Sequence, residues 1–519
     1  MANDVLTTTR SPVVEIASGR LRGITSGGIH AFKGIPYGAS TAGANRFMPP
    51  QPPETWAGVR EALAYQGHAP QSPNRAKRRP ELETILGPAD TTPEGEDCLT
   101  LHVWTPGLDQ AKRPVMVWLH GGAFAYGSGN RDVTAGENLA RRGDVVVVSV
   151  NHRLNILGFL HLAERGGARY AHSGNAGSLD LVAALRWVRE NIAAFGGDPG
   201  NVTIFGESGG GGKVSVLLAM PAAQGLFHRA VIQSGATIRV STRERGAALA
   251  DAVLKEFGFG PGECDRLQSV PFERLLAAIA PASRAVGPTQ WKLLDRYDFG
   301  PVVDGADLPR QPFDPDAPSI ADNIPLLIGG TREEAAFFLA DDDEVWNGRV
   351  TEESLRRRIT AVAGGDTDRV LMAYPNGSPG DRLIAALTGS NFWVRTVLLA
   401  ERKAARGAAP LYMYSLDWQS PAQGGRLKAH HAMDLPFVFD NIDVPDTTKG
   451  APGAAELAAT MSAVWTHFAR TGSPQTAAVP AWPVYDAAER ATMVFDATCR
   501  VVRDPDRDAR LAWSRVAIG

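Results

Sequence analysis

Cysteine is scarce in this 519-residue chain, which contains only Cys98, Cys264 and Cys499. The three residues are odd in number and far apart, and none has the spacing of metal ligands. This pattern excludes a disulfide framework and a cysteine-based metal site. It is typical of reduced, buried thiols.

The chain also lacks an excess of either charge. Its 53 Lys and Arg residues nearly balance its 56 Asp and Glu residues, which gives a formal net charge of -3. So small a charge creates no field that would attract nucleic acid or an anionic membrane, and we expect neither as a partner. One basic cluster, Arg75 to Arg79, is followed by Glu81 and Glu83. We interpret it as a solvated loop face rather than a polyanion site.

Long hydrophobic runs are missing as well. No stretch approaches the ~18 uninterrupted apolar residues of a membrane span. The first 19 residues include Asp4, Arg10 and Glu15 and have no apolar core of a signal peptide. We therefore expect a cytoplasmic protein whose residues 1–12 form a flexible N-terminus. At 44% hydrophobic residues, the chain is apolar enough to bury a large core.

Short apolar runs rich in β-branched residues predict strands that are buried on both faces. These runs are residues 115–119, 145–150, 202–205 and 325–328. Between the second and third runs, residues 179–195 carry apolar side chains at helical spacing and end at two glycines. Strands that alternate with helices predict an α/β fold with a mostly parallel, doubly wound central sheet.

The N-terminal part has a different pattern. Residues 13–24 and 29–34 predict the hairpin strands of a small antiparallel sheet. No internal repeat or low-complexity linker divides the chain. Residues 1–519 are therefore interpreted as one domain with insertions.

A candidate nucleophile follows one of the predicted strands. Residues 201–205 run directly into Gly206-Glu-Ser-Gly-Gly210, and residues 213–220 can form a helix. A serine at such a strand-turn-helix elbow has strained backbone angles, and small residues two positions before and after it avoid collisions. The helix N-terminus adds N–H groups and a positive dipole end. The pattern occurs once and favours Ser208 as a nucleophile over an ordinary turn.

The glycine run 209–212 is unusual, because each glycine in a helical turn costs up to ~1 kcal/mol relative to alanine. Such a run indicates a functional reason. A phosphate-binding loop is one alternative, since Lys213 follows the glycines. That motif needs glycine in place of Glu207 and Ser or Thr in place of Val214. A carboxylate would also repel phosphate, so nucleotide binding is not expected.

A second glycine-rich turn, His120-Gly-Gly-Ala-Phe124, follows the strand that ends at Leu119. Glycines directly after a strand let main-chain N–H groups face a developing oxyanion. The alternative is an ordinary turn, but its occurrence together with the elbow favours an oxyanion hole.

These motifs, in their order along the chain, resemble the type B carboxylesterase family, which includes cholinesterases and bacterial para-nitrobenzyl esterases. The matching segments are residues 32–37, 46–47, 96–99, 120–123, 151–153, 195–199, 206–210, 301–305, 431–434, 465 and 482–483. The resemblance covers roughly residues 14–497. It implies an α/β-hydrolase fold with helical insertions, and an esterase with a Ser-His-Glu triad and no cofactor or metal.

The resemblance also implies the catalytic base. Hydrolases with this elbow place their triad in the order serine, acid, histidine, so the base is His228, His430, His431 or His467. The family's histidine stands three residues before an acidic residue, which implies His431. His430 remains the alternative base, and His467 is interpreted as a packing residue.

The family's acid comes from a strand and a loop that ends in acid, acid, glycine. Glu333-Glu334-Ala335 corresponds to that ending and implies Glu334 as the acid that orients the histidine. Ala335 replaces the usual glycine, and a one-residue shift of the loop would select Glu333 instead.

Further roles are implied by the same resemblance. The oxyanion hole would consist of the N–H groups of Gly122, Ala123 and Gly209, with Gly121 as an alternative donor. Gly209 stands where the family usually has alanine, and it keeps the main-chain donor. Glu207 and Ser234 would support the site. Arg46 with Glu96, and Arg153 with Asp180, would form structural ion pairs.

Three functions are compatible with these residues. The first is hydrolysis of small or aryl carboxylic esters through an acyl-enzyme, and the second is hydrolysis of amides or carbamates by the same chemistry. The third is a non-catalytic binding protein, which is disfavoured because such relatives usually lose the serine. Cholinesterase activity is not expected, because residues 68–95 lack the tryptophan that binds choline in the family. We expect a small-molecule ester substrate and a monomer or small homo-oligomer.

Overall fold

An 11-stranded sheet forms the centre of the computed structural model, which describes residues 11–72, 85–287 and 298–516. The strands are β1 (Val13–Ile16), β2 (Gly19–Arg22), β3 (Ile24–Ser26), β4 (Ile29–Pro36), β5 (Val59–Glu61), β6 (Thr100–Thr105), β7 (Arg113–Leu119), β8 (Val146–Val150), β9 (Gly197–Glu207), β10 (Arg229–Gln233), β11 (Leu326–Thr331), β12 (Leu411–Leu416), β13 (Ala491–Phe495) and β14 (Arg500–Arg503).

The large sheet has the strand order β14-β13-β12-β11-β10-β9-β7-β8-β6-β4-β3. The seven strands from β13 to β8 in this order pair in parallel, and the outer strands pair antiparallel. In the small sheet, β1 pairs with β2 antiparallel and β5 joins β2 in parallel. Residues 29–34 are antiparallel as predicted, but they belong to β4 of the large sheet, where they pair with β3 and β6. The predicted mostly parallel central sheet is therefore confirmed.

Helices cover both faces of this sheet. They are α1 (Glu137–Gly143), α2 (Asn155–Phe159), α3 (Ala163–Gly166), α4 (Ala176–Asn191), α5 (Gly209–Leu217), α6 (Arg243–Glu256), α7 (Phe272–Val286), α8 (Glu334–Leu339), α9 (Asp343–Trp346), α10 (Glu352–Ala363), α11 (Thr367–Met372), α12 (Pro379–Thr388), α13 (Val394–Ala404), α14 (Leu435–Val438), α15 (Ala454–Thr471) and α16 (Arg507–Trp513). A π-helical turn, Gly389–Trp393, joins α12 to α13.

The alternation of side chains along β7 shows why both faces need cover. Val117 and Leu119 belong to one apolar core, whereas Met116 and Trp118 belong to a second core on the opposite face. Successive side chains of a strand point to opposite faces, so a strand that is apolar at every position must be buried on both.

Both ion pairs implied by the resemblance are present, and two of the three cysteines are buried as predicted. Arg46 lies 2.5 Å from Glu96, and Arg153 lies 2.6 Å from Asp180, with both pairs buried. Removing one partner of a buried pair would leave an uncompensated charge and destabilise the fold. The cysteines are free thiols: Cys98 and Cys264 are buried, and Cys499 is half-buried.

Among the described helices, one stretch is long and apolar enough to cross a membrane. This stretch is Pro379–Ala404, and 72% of its most apolar window is buried inside the protein. The basic cluster at residues 75–79 and residues 1–10 of the predicted flexible N-terminus lie outside the described residues. Their interpretation, like that of a single domain, stays a prediction.

Candidate active site

Ser208 occupies a strained turn between β9 and α5. Its backbone angles are φ 55° and ψ -122°. Residues other than glycine rarely adopt such angles, which cost about 1–3 kcal/mol of strain. The Ser208 N–H donates to the Gln233 carbonyl at 2.8 Å, and the Ser208 carbonyl accepts from Gly212 N–H at 3.0 Å. These bonds hold the strained turn, as expected of a nucleophile elbow.

The glycines after Ser208 are required by close backbone approach. A Cβ added at Gly209 would lie 2.2 Å from the Ala123 Cα, and one at Gly210 would lie 2.0 Å from the Leu119 carbonyl oxygen. Because these neighbours are main-chain atoms, no side chain can move aside. Helix α5 therefore begins within the glycine run, four residues before the predicted start at Lys213, since this packing outweighs the low helix propensity of glycine.

The structure brings His431 and Glu334 together. Nδ1 of His431 lies 2.5 Å from Oε2 of Glu334, and both side chains are buried. The other carboxylate oxygen of Glu334 accepts the Thr331 N–H at 2.8 Å. Both oxygens of Glu334 are thus fixed, and the imidazole is held with the proton on Nδ1.

The alternative acid and base point elsewhere. Oε2 of Glu333 accepts from Gln419 Nε2 at 3.0 Å and from Ala429 N–H at 3.2 Å. Nδ1 of His430 contacts the His431 carbonyl at 2.6 Å. Of the two adjacent acids, Glu334 is therefore the one that contacts the imidazole of His431.

Glu207 lies on the other side of the same imidazole, a contact that sequence reasoning missed. Nε2 of His431 is 3.2 Å from Oε1 of Glu207, which is also buried. Burial lowers the pKa of His431, but Glu207 and Glu334 outweigh burial and raise it to about 9. Burial raises the pKa of Glu207 to about 8, and His431 opposes that shift. The imidazole is thus held between two carboxyl groups.

Ser208 directly follows Glu207, the residue whose carboxyl group contacts Nε2 of His431. Within the described residues, Ser208 Oγ forms no hydrogen bond with His431, whose Nε2 faces Glu207 instead. A Cβ placed on Gly121 would lie 3.1 Å from Oε2 of Glu207 and 3.6 Å from Cβ of Ser208. The predicted nucleophile, Glu207 and the glycine-rich turn therefore meet at one point.

The predicted oxyanion donors converge next to Ser208. Gly122 and Ala123 have φ values of 89° and 53°. In the part of the chain that the structure describes, the N–H groups of Gly122, Ala123 and Gly209 donate to no protein acceptor. The close contact between Gly209 and the Ala123 backbone places two of these donors together at the N-terminus of α5.

A buried polar network lies behind His431. Oδ2 of Asp434 accepts from Gln233 Nε2 at 2.9 Å and from the Tyr414 hydroxyl at 2.7 Å. Trp465 Nε1 donates to the Gln233 side chain at 3.1 Å. Burial raises the pKa of Asp434 to about 6. Gln233 thus links the serine turn, through its carbonyl, to the loop that carries the histidine.

Ser234 follows Gln233 and has a φ of 51°. It is buried, and a Cβ added at Gly330 would lie 3.2 Å from its Oγ and 2.5 Å from Oε1 of Glu334. Ser234 and Oε1 of Glu334 thus both lie next to Gly330, and the supporting role of Ser234 stays a prediction.

Aromatic side chains surround the imidazole of His431, which the sequence did not indicate. The ring centroids of Phe337, Phe338 and Phe392 lie 5.8, 4.9 and 5.2 Å from that of His431. Phe392 belongs to the π-helical turn, a feature often found at functional sites. An apolar wall of this kind strengthens the electrostatic interactions inside it.

Among the described residues, no group of three or more His, Cys, Asp or Glu side chains is arranged to hold a metal ion.

Comparisons with known proteins identify the family of this chain. A model described as the carboxylesterase family matches residues 10–512. Para-nitrobenzyl esterase of Bacillus subtilis (strain 168) is 39% identical over 502 residues, which cover 96% of this chain and 97% of that protein. Phenmedipham hydrolase of Pseudarthrobacter oxydans is 35% identical over 504 residues, which cover 95% of this chain and 97% of that protein.

The solved structures give the same result. The crystal structure of a Geobacillus stearothermophilus carboxylesterase has a TM-score of 0.82 and 40% identity, and the match covers 96% of this chain and 99% of that chain. The resemblance and the α/β-hydrolase fold are confirmed. The chain therefore belongs to the carboxylesterase family and is a serine carboxylesterase.

Proposed function

We propose that the protein hydrolyses small or aryl carboxylic esters through an acyl-enzyme, with Ser208 as nucleophile, His431 as general base and Glu334 as the acid that orients the base. The observation that carries the proposal is the 2.5 Å contact between His431 and Glu334, together with a positive φ at Ser208, whose chain neighbour Glu207 contacts the same imidazole. A nucleophile, a base and an orienting carboxylate are the parts that acyl transfer requires.

In the first step, Nε2 of His431 takes the proton of Ser208 as Oγ attacks the ester carbonyl carbon. This step requires Nε2 to face Ser208 Oγ in place of Glu207, and such catalytic hydrogen bonds often form only once substrate is bound. The carbonyl oxygen becomes an oxyanion, which the N–H groups of Gly122, Ala123 and Gly209 stabilise.

In the second half of the reaction, Nε2 gives its proton to the departing alcohol, which leaves the acyl group on Ser208. His431 then takes a proton from water, which attacks the acyl carbon, and returns that proton to Ser208 Oγ as the acyl–oxygen bond breaks and the carboxylic acid leaves. The imidazolium that forms in each half keeps its Nδ1 contact with Glu334, whose negative charge favours it.

The walls of the site favour an apolar or aryl group. Phe338 and Phe392 stack on each other at 5.7 Å and flank His431, so the substrate atoms next to the base contact aromatic faces. The name of the related para-nitrobenzyl esterase indicates an aryl-type ester, which supports the same substrate class.

The proposal is tested with para-nitrophenyl esters of increasing acyl length, measured beside an anilide and a carbamate. The wild type should hydrolyse the esters with a burst of nitrophenol, and Ser208→Ala should abolish both burst and turnover. Ser462→Ala is a matched control, because Ser462 is also buried but bonds only within α15. Turnover that persists in Ser208→Ala would contradict the mechanism, and faster cleavage of the anilide or carbamate would contradict the substrate class.

A further inference from the structure

A buried lysine lies directly beneath the oxyanion turn. Lys213 is in α5, is 1% exposed, and donates from Nζ to the His120 carbonyl at 2.7 Å. Lysine is almost never fully buried unless it has a partner, because desolvation disfavours its charge. Burial accordingly lowers the pKa of Lys213 well below its ordinary value. So costly a side chain at this position requires an explanation.

The bond from Lys213 fixes the direction of a main-chain donor. In a trans peptide the C=O of one residue and the N–H of the next point in opposite directions. A donor that holds the His120 carbonyl on one side therefore aims the Gly121 N–H toward the other side. Gly121 has no side chain of its own that could hold this peptide in place.

The next peptide is held by His120 itself. Nδ1 of His120 lies 2.8 Å from the Gly121 carbonyl oxygen, and because a carbonyl only accepts, Nδ1 must carry the proton. This bond aims the Gly122 N–H. Burial and the nearby Lys213 lower the pKa of His120, so the ring stays neutral with this one proton. Lys213 Nζ lies 3.5 Å from the same Nδ1, and the His152 ring stacks on His120 at 5.1 Å.

The third peptide is held within the turn. The Gly122 carbonyl accepts from Ala125 N–H at 3.2 Å and from Tyr126 N–H at 3.1 Å, which aims the Ala123 N–H. Three successive carbonyls are thus anchored on the side away from the donors. The first two anchors depend on Lys213 and on the His120 ring that Lys213 contacts.

We propose that Lys213 is a positioning residue of the oxyanion hole, which holds the His120 carbonyl and ring so that the Gly122 N–H faces the oxyanion together with those of Ala123 and Gly209. The inference rests on the proposed function of these N–H groups. Donors that are already oriented need no reorganisation in the transition state. Glycine peptides that are free to turn would have to be oriented first, which costs free energy.

Lys213→Met tests this, because methionine keeps an apolar side chain of similar length and removes the donor. A displacement of about 1 Å in a catalytic group can lower turnover by ~10²-fold, so we expect kcat for a para-nitrophenyl ester to fall about 10–100-fold while KM changes little. Rates are expressed per active site, counted by titration with a para-nitrophenyl phosphonate.

Lys403→Met is the matched control. Lys403 in α13 is also 1% exposed and donates from Nζ to a main-chain carbonyl, that of Asp322, at 2.9 Å. Its replacement removes an equivalent buried bond away from the oxyanion turn. We expect Lys403→Met to lower the melting temperature and leave kcat per titrated site unchanged.

An aryl boronic acid provides a second measurement, because it forms a tetrahedral adduct with an activated serine and places an oxygen in the oxyanion hole. Its inhibition constant should rise in Lys213→Met by the same factor by which kcat falls. If Lys213→Met is insoluble, Lys213→Gln replaces it. Glutamine keeps an N–H donor, but on a side chain one atom shorter than that of lysine. A smaller parallel loss in kcat and boronate affinity is then expected.

The inference would be overturned if the Lys213 variant that folds kept both the wild-type kcat per titrated site and the wild-type affinity for the boronic acid. An equal loss in Lys403→Met would overturn it as well. A wild-type enzyme that does not bind the boronic acid would instead contradict the proposed function, so the two failures are distinguishable.

Discussion

Glu207 is expected to set the pH at which the enzyme becomes active. Oε1 of Glu207 lies 3.2 Å from Nε2 of His431, and Glu334 lies 2.5 Å from Nδ1. Burial lowers the pKa of His431, but the two carboxylates outweigh it and raise the pKa to about 9. A general base must be unprotonated in the free enzyme, so kcat/KM of the wild type should rise with pH until about that value.

Glu207→Gln keeps the shape of the side chain and removes its charge. An opposite charge at such a distance typically shifts a pKa by about 1–3 units, and each unit corresponds to about 1.4 kcal/mol. Loss of the anion removes one cause that raises the pKa of His431, so its pKa should fall. The acid limb of the Glu207→Gln profile should therefore lie about 1–3 pH units below that of the wild type.

The measurement is kcat/KM for a para-nitrophenyl ester between about pH 5 and 10, with spontaneous hydrolysis subtracted by use of Ser208→Ala. Glu333→Gln is the matched control, because Glu333 is also a carboxylate near the site but bonds to Gln419 and Ala429. Its acid limb should coincide with that of the wild type.

Two results would refute this reasoning. An acid limb that is unchanged in Glu207→Gln would show that the carboxylate does not act on His431 in the free enzyme. A limb that moves to higher pH would have the wrong sign for removal of a negative charge.

Three further outcomes follow from the structure. Glu334→Gln should lower kcat/KM by up to about 10⁴-fold, because an amide cannot hold the required imidazole tautomer; a loss below tenfold in ester turnover would contradict this. Asp180→Ala should reduce the free energy of unfolding in urea by roughly 3–5 kcal/mol, because it leaves Arg153 buried without its carboxylate. Gly210→Ala should reduce the burst amplitude and turnover, since its Cβ would lie 2.0 Å from the Leu119 carbonyl oxygen, and a normal burst would show that the backbone adapts.

The strands around the site could be predicted because local patterns determine them. The apolar run 115–119 lies within β7, and the run 202–205 lies within β9. The observed β9 begins earlier, at Gly197, and includes Pro199. Glycine and proline disfavour a strand locally, but Gly197 pairs with Arg113 of β7, and this pairing extends the strand.

The beginning of α5 could not be predicted in the same way. Helix propensity argues against four consecutive glycines, so the sequence pattern placed the helix at residues 213–220 instead of Gly209–Leu217. Glycine is needed at Gly209 and Gly210 because main-chain atoms of Ala123 and Leu119 lie where side chains would be. Contacts between segments distant in sequence overrule the local preference.

The same limit explains which site contacts the sequence missed. The proposed triad residues were predicted from motifs, but the contact of His431 with Glu207 and the aromatic rings around His431 join distant segments of the chain. Lys213 was considered only as part of a phosphate-binding loop. Its contact with His120 depends on how α5 packs under β7, which no local pattern encodes.

Gln233 has a consequence for how well the reactive groups keep their spacing. Its carbonyl holds the turn of Ser208, and its side-chain amide holds Asp434, three residues beyond His431. Hydrogen bonds from a single residue at the end of β10 therefore hold both the turn of Ser208 and the segment that follows His431. A displacement of that strand would shift Ser208 and His431 in the same direction, so the distance between the two residues would be preserved.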